Sequence, residues 1–357
     1  MKVMFLYPNH EGYFRCPVGL TLIMTVVENE GHQVKLFDTT FMNSDDNQDN
    51  TKREDAGLVK PVTLDNYFNK KSTNQIETDW LKAVEDFSPD IIATTIVEDA
   101  YTYADRLLSL AKNKFNVPVV VGGSMPTVVP RVMIENPNID YLFEGEAEVA
   151  FIELMEALMK DGDVSKVANL WYQENGVTKN TGIVKYLDMD EIPFQKLDFW
   201  DDKHFTKPYD GKLYNTGFFE GSRGCMHRCH YCINRAFQVF QEDAGKVRRN
   251  KSPRRIVDEV KAIHKERNFN LIMFTDDNFL GRQPRELDEF FELWKNEINL
   301  PYWVNTCIET VNDHNLPKLK ESGCVGIAIG LETGSDWVRR NLLLKGKMDN
   351  KFYMEKF

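Results

Sequence analysis

Nowhere in the 357 residues is there an apolar run of about eighteen, the length a membrane helix needs, so the sequence offers no span. The opening residues 1–7 are too short and too strand-like for the apolar core of a secretory signal. Cysteine is scarce, six in all. Three of them crowd into residues 225–232 while Cys16, Cys307 and Cys324 lie scattered, a distribution that argues against a disulfide framework and suits a reducing cytoplasm. A basic excess is also lacking: 44 Lys and Arg stand against 55 Asp and Glu, a net charge of -11, which disfavours a nucleic-acid-binding surface. What remains is ordinary for a globular protein, 42% hydrophobic and 28% charged, and long enough for two domains with real cores.

The densest chemistry lies in Gly221-Ser-Arg-Gly-Cys225-Met-His-Arg-Cys229-His-Tyr-Cys232, directly after an apolar segment, 214–219, that reads as a buried strand. Thiolates at C-x3-C-x2-C spacing converge on one soft metal centre without long-range folding. A cube of four irons and four sulfides wants a ligand on each iron, so three cysteines leave one iron open to a substrate. Zinc competes, with His227 or His230 as fourth ligand, although zinc loops usually pair a close C-x2-C with a second pair far along the chain.

Cys225, Cys229 and Cys232, with aromatic Tyr231 before the last cysteine, resemble the cluster loop of the radical S-adenosylmethionine (SAM) enzymes. The resemblance implies that the three thiolates hold a 4Fe-4S cluster whose fourth iron is chelated by the methionyl amine and carboxylate of SAM. Electron transfer from the cluster then releases a 5'-deoxyadenosyl radical, and a reductant such as flavodoxin or ferredoxin is expected.

From residue 1 to about 160, apolar strands (2–7, 34–38, 90–95, 117–121, 141–143) alternate with helical segments (17–31, 76–87, 101–115, 130–136, 147–160), broken by a polar loop excursion over 43–71. This alternation predicts an α/β domain with a doubly wound parallel sheet, whose ligands bind beyond the carboxyl ends of the strands. Gly122-Gly-Ser-Met-Pro-Thr127 is the telling loop, since paired glycines let a large ligand approach the backbone; alone, it is equally a tight turn. With 17–20, 31–34 and 144–146 it resembles the cobalamin-binding domain placed before many radical SAM barrels. The resemblance implies cobalamin as a cofactor, with Thr94, Gly122, Gly123 and Ser124 lining the slot for its nucleotide tail. The D-x-H-x-x-G pattern that brings a histidine to cobalt is absent, and the surroundings of His10 do not match it.

A connector over 161–212 holds a hairpin about Asn175-Gly176 and an apolar linker at 192–200. From 213 to 357, strands at 214–219, 271–274, 301–307 and 325–330, each followed by a helix, predict a partial (β/α) barrel with its chemistry at the carboxyl ends of the strands. The run 246–251 reads as a solvated basic face, and Ser252-Pro253 as a helix start. Leu287, Phe290, Phe291 and Trp294 at helical spacing read as core. Asp276 and Asp277 could cap the next helix, and Glu332 could be a surface carboxylate. Resemblance to the second-strand and fourth-strand motifs of cobalamin-type radical SAM enzymes instead implies that Asp277 and Glu332, with Asp276 and Asn305 nearby, contact SAM, and that Tyr231 lies against adenine. An ammonium and a ribose diol both want carboxylate acceptors.

Barrels of this type usually carry six strand-helix units, and the expectation here is a C-terminally truncated one lacking the last two. The implied activity is SAM cleavage to a 5'-deoxyadenosyl radical with cobalamin-dependent methyl transfer to an unactivated centre of a small molecule. Oxidative cyclase-type chemistry and a non-catalytic cobalamin- or metal-binding module are the alternatives.

Overall fold

The computed structural model describes the chain apart from residues 10–15, 43–53, 184, 241–243, 347 and 357. His10 and the first part of the 43–71 excursion lie outside the described residues; beyond 53 that stretch carries a 3-10 turn at Asp65–Tyr67. The chain divides into two compact units, Met1–Val184 with Pro193–Leu213, and Lys185–Ile192 with Tyr214–Phe357. The first therefore takes in most of the stretch that reads from the sequence as a connector.

In the first unit β1 (Lys2–Tyr7), β2 (Gln33–Asp38), β3 (Ile91–Thr95), β4 (Val119–Gly122) and β5 (Tyr141–Phe143) are parallel, and the hairpin β6 (Leu170–Glu174) and β7 (Val177–Asn180) adds antiparallel to β5, giving the order β2-β1-β3-β4-β5-β6-β7. Strand order reverses between β1 and β3, which is the switch point where such sheets open a crevice. Val3, Met4, Phe5 and Leu6 are all fully buried, as a central strand covered on both faces requires. Helices α1 (Val18–Asn29), α2 (Thr73–Phe87), α3 (Tyr101–Phe115), α4 (Ser124–Val128), α5 (Pro130–Ile134) and α6 (Ala150–Met159) supply the covers. Ser72 and Gln75 form a capping box that starts α2. Fully buried Trp80 then donates its indole N–H to Leu107 O of α3 at 2.8 Å, so its polar atom costs nothing on burial. Asn175 and Gly176 both have positive φ, the conformation a two-residue hairpin turn demands.

After a short strand β8 (Thr206–Tyr209), the second unit follows β9 (Lys212–Phe219) with β10 (Ser222–Arg223), α7 (Ile233–Phe240), β11 (Arg249–Asn250), α8 (Pro253–Arg267), β12 (Leu271–Phe274), α9 (Pro284–Glu297), β13 (Tyr302–Asn305), α10 (Asn315–Glu321), β14 (Cys324–Ala328), α11 (Asp336–Asn341) and α12 (Asn350–Lys356). The parallel strands β9, β12, β13 and β14 lie side by side in chain order, a partial (β/α) barrel. Its core is aromatic: Phe274 lies 4.8 Å from Phe279, 5.8 Å from Phe290 and 5.5 Å from Trp294, ring centre to ring centre. Leu287, Phe290, Phe291 and Trp294 of α9 are all buried, each such side chain worth about 1.5–3 kcal/mol. Ser252 caps α8 through Arg255 N, with Pro253 in its first turn.

Candidate functional site

The cysteine loop is held in place before its sulfurs matter. Asp276, only 1% exposed at the end of β12, accepts from Gly221 N at 2.8 Å, from Ser222 Oγ at 2.5 Å and from Arg282 Nη2 at 3.5 Å. Arg282, buried with it, donates onward to Gly221 O and Lys251 O. A side chain at Gly221 would run into Arg282, and at Gly224 (φ 75°) into the carbonyl of Val247, because β10 pairs closely with β11. Beyond the first cysteine, Gln238 of α7 donates to Cys225 O at 2.6 Å and His227 O at 2.9 Å, while His230 N donates to Leu343 O at 2.8 Å.

Cys225 is buried and Cys229 and Cys232 are half-buried, all three as thiols. Interaction with Cys307 brings Cys225 down to about 6. Burial pushes Cys229 up, Lys345 opposes the rise, and the charges of Cys232 and Cys225 add to it. Asn234, buried in α7, directs its amide at Cys232 Sγ (3.7 Å) and stands beside Asp277. Burial raises the Asp277 carboxyl, with Asp276 adding. Arg248 faces the same place: desolvation lowers it, and Asp276, Cys225, Asp277 and Cys307 act on it. Its Nε and Nη2 are buried without a partner among the described residues, as is Nε2 of His227.

The end of β14 reaches the same loop. Glu332, in the left-handed region at φ 64° at a cost of about 1–2 kcal/mol, accepts from Lys345 Nζ at 3.0 Å. Lys345 also donates to Tyr231 Oη at 3.0 Å. Desolvation raises the Tyr231 phenol, and the charges of Cys229 and Glu332 raise it further. Tyr231 and Glu332, a hundred residues apart in sequence, thus meet over one lysine.

Two of the residues expected to contact cofactor are otherwise engaged. Asp276 spends its carboxylate on the loop backbone, on Ser222 and on Arg282, so it positions the loop instead of facing it. Asn305 turns its amide to Asp276 O at 3.2 Å and stitches β13 to β12. Three participants escape sequence reasoning. Cys307 is isolated in sequence, Lys345 carries no motif, and Arg248 hides in a run that reads as solvated. Two arginines followed by the start of a helix is the one weak signal.

In the first unit the ends of β3 and β4 present main chain in place of charged side chains. Gly123 has φ 104°, and a Cβ there would lie 2.5 Å from Thr95 Oγ1 and 2.9 Å from Ile96 N and O. Only glycine lets β4 leave the sheet this close to the end of β3, where Ile96 N bonds Gly122 O at 2.8 Å. A Cβ on Gly122 would meet nothing within 4 Å, so that backbone borders open space. Thr94 is buried inside β3 and Thr95 holds the strand end. Ser124 opens the five-residue helix α4, and Thr127 Oγ1 bridges Gly123 O (2.8 Å) and Gly145 N (3.0 Å).

A flavodoxin-like sheet with a glycine cradle, joined in one chain to a partial barrel whose first strand ends in three thiols, defines a two-domain cofactor protein. Residues 62–155 match the B12 binding domain and residues 219–351 the radical SAM superfamily, so the chain carries a radical SAM domain preceded by a B12-binding domain. It is 28% identical over 346 residues to an uncharacterized methyltransferase of Pyrococcus horikoshii, covering 94% of this chain and 66% of the relative. It is 25% identical to the cytidylyl-2-hydroxyethylphosphonate methyltransferase of Streptomyces wedmorensis (96% and 67%) and 23% identical to the anaerobic magnesium-protoporphyrin IX monomethyl ester cyclase of Rubrivivax gelatinosus (78% and 50%). Among solved structures, the fold matches the radical SAM methyltransferase TsrM of Kitasatospora setae (TM-score 0.67, 19% identity, 98% of this chain and 62% of that one) and the cobalamin-dependent radical SAM enzyme OxsB (0.69, 17%, 99% and 47%). The chain spans about two thirds or less of the length of these proteins. The two domains imply a 4Fe-4S cluster, SAM and cobalamin. The residues present fit them: three thiols on one short loop for the cluster, unsatisfied donors beside it, and at the end of β4 a glycine backbone that borders open space.

Proposed function

We propose that this chain carries out cobalamin-dependent radical SAM methyl transfer to an unactivated centre of a small molecule. When bound, the cluster and SAM supply cleavage to a 5'-deoxyadenosyl radical, and cobalamin supplies a methyl carrier. The carrying observation is that one loop holds three free cysteines and that Lys345 joins Tyr231 of this loop to Glu332 beyond β14. In this reading Cys225, Cys229 and Cys232 bind iron. Asp277 accepts the methionyl ammonium, Glu332 the ribose or amine, and Tyr231 borders adenine, while Asp276 and Asn305 hold these groups in place. Thr94, Gly122, Gly123 and Ser124 form the wall for the cobalamin tail, with Gly122 giving backbone access.

We assign the cobalamin domain to residues 1–160, a connector to 161–212 and the radical SAM domain to 213–357. A cytoplasmic location, a flavodoxin or ferredoxin as reductant and the absence of a nucleic-acid partner complete the reading; the clustering of three of the six cysteines in one loop and the net charge of -11 support it. No helix among the described residues is long and apolar enough to cross a membrane. The likeness to the Rubrivivax cyclase favours oxidative ring formation as the second reading.

The test is anaerobic reconstitution with iron, sulfide and cobalamin, then SAM and dithionite. Methyl transfer yields 5'-deoxyadenosine together with S-adenosylhomocysteine; a cyclase yields deoxyadenosine and methionine without the homocysteine product. A protein that binds the cofactors and releases neither nucleoside overturns both readings.

A further inference from the structure

Among the described residues, one group of potential metal ligands has all its ligand atoms within 4.8 Å of one another: Cys225, His227 and Cys307. Cys229 and Cys232 are not in it. Two thiolates on different irons of a cube cannot lie as close as Cys225 and Cys307 do, so the group describes a centre for a single ion, separate from any cluster. Each member is held from outside the group. Gln238 donates to Cys225 O at 2.6 Å and to His227 O at 2.9 Å, which fixes the loop main chain at both ligands. Cys307 comes from two residues beyond β13, where its N–H donates to Asn278 Oδ1 at 3.3 Å and its carbonyl accepts from Thr310 Oγ1 at 2.6 Å. Asn278 is itself fully buried and pinned by Thr306 Oγ1 at 2.7 Å. The Nε2 of His227 is buried without a partner among the described residues, a cost that a bound ion would remove.

We propose that Cys225, His227 and Cys307 form a mononuclear site for zinc, occupied in the cluster-free chain and vacated when Cys225 is taken into the cluster. Two thiolates and an imidazole are the donor set of a tetrahedral zinc with its fourth position open to water. Zinc–sulfur bonds of about 2.3 Å and a zinc–nitrogen bond of about 2.0 Å set the ligand atoms about 3.5–3.8 Å apart, within the spacing that the three residues already hold. Of the ions that such a set would take, zinc binds ahead of ferrous iron. On binding, both thiols release their protons to solvent, the ion sheds water as two sulfurs and a nitrogen replace it, and no oxidation state changes. The zinc site stands on these three residues alone, whereas its competition with the cluster rests on the cluster reading of Cys225, Cys229 and Cys232. One cysteine common to both sites makes them exclusive: zinc held there keeps the first loop sulfur from iron, and a completed cluster expels zinc.

The experiment titrates zinc alone into the full chain, prepared anaerobically and free of iron, as wild type, Cys307→Ala, His227→Ala and Cys229→Ala, with a competing chromophoric chelator reporting free zinc. Wild type and Cys229→Ala should each bind one zinc with equal affinity. Cys307→Ala and His227→Ala should bind about a hundredfold more weakly, since losing a ligand costs no less than losing the outer-shell partner of one. X-ray absorption of zinc-loaded wild type, which needs no variant to fold, should show two sulfurs and one nitrogen around the metal. Zinc added first should slow iron incorporation during reconstitution of wild type and leave Cys307→Ala at its zinc-free rate. Equal affinity in wild type and Cys307→Ala, affinity lost in Cys229→Ala, three sulfurs around zinc in wild type, or iron incorporation indifferent to zinc would each overturn the proposal. A Cys229→Ala chain that still assembles a complete cluster would instead sink the cluster reading and leave the zinc site standing.

Discussion

The two units finish their parallel strands in opposite ways. Where β3 and β4 end, the wall is Ile96, Gly122 and Gly123, with main chain brought so close that only glycine fits. Where β9, β12, β13 and β14 end, side chains crowd in: Asp276, Asp277, Arg248, Arg282, Cys307 and Glu332. In the proposed reading the first arrangement would take a large ligand lying against backbone, by shape, and the second a metal centre with a small zwitterion on it, by charge and coordination. One fold class, strands followed by helices, would then serve two recognition strategies through the residues after each strand.

The contrast can be broken most completely at the thiols. Cys229→Ala should remove bound iron altogether, read as iron per chain, while cobalamin retention in the other unit stays unchanged. Next in size is Asp276→Ala, which strands the buried Arg282 and leaves Gly221 N without an acceptor. Removing one partner of a buried charged pair costs about 3–5 kcal/mol, and urea unfolding should show that loss confined to the second unit. The reciprocal change in the first unit is Gly123→Ala. Overpacking against Thr95 and Ile96 at positive φ should cost about 2–3 kcal/mol and release cobalamin, with iron content untouched. The smallest effect belongs to Glu144, whose buried carboxyl accepts from Trp171 Nε1 at 2.6 Å and is raised by burial above its ordinary 4.5. Its folded form favours the proton, so its contribution to stability is full below 4.5 and is lost as pH rises through the raised value. Glu144→Gln should therefore flatten that part of the stability–pH curve and raise the melting temperature at neutral pH.

Much of this division was legible in the sequence. Alternating strands and helices, the Asn175-Gly176 turn, the Ser252-Pro253 helix start and the core face of α9 all rest on local periodicity, which neighbouring residues state directly. The loop of Cys225, Cys229 and Cys232 was legible for the same reason, its spacing being its chemistry. What local pattern could not tell was which side chain turns where. Asp276 and Asp277 are adjacent, yet one is spent beneath the loop and the other stands beside Asn234. Thr94 is buried in the strand, leaving Thr95 against the glycine. Cys307, Lys345 and Arg248 join the site across long sequence separations, and spacing is silent about such meetings.

Asn234 answers to a sulfur on one side and to a carboxylate on the other. If Cys232 takes up iron and Asp277 receives the nucleotide, as proposed, this one amide would be the common joint of both sites, and metal loaded first would set how the carboxylate is presented to whatever arrives second.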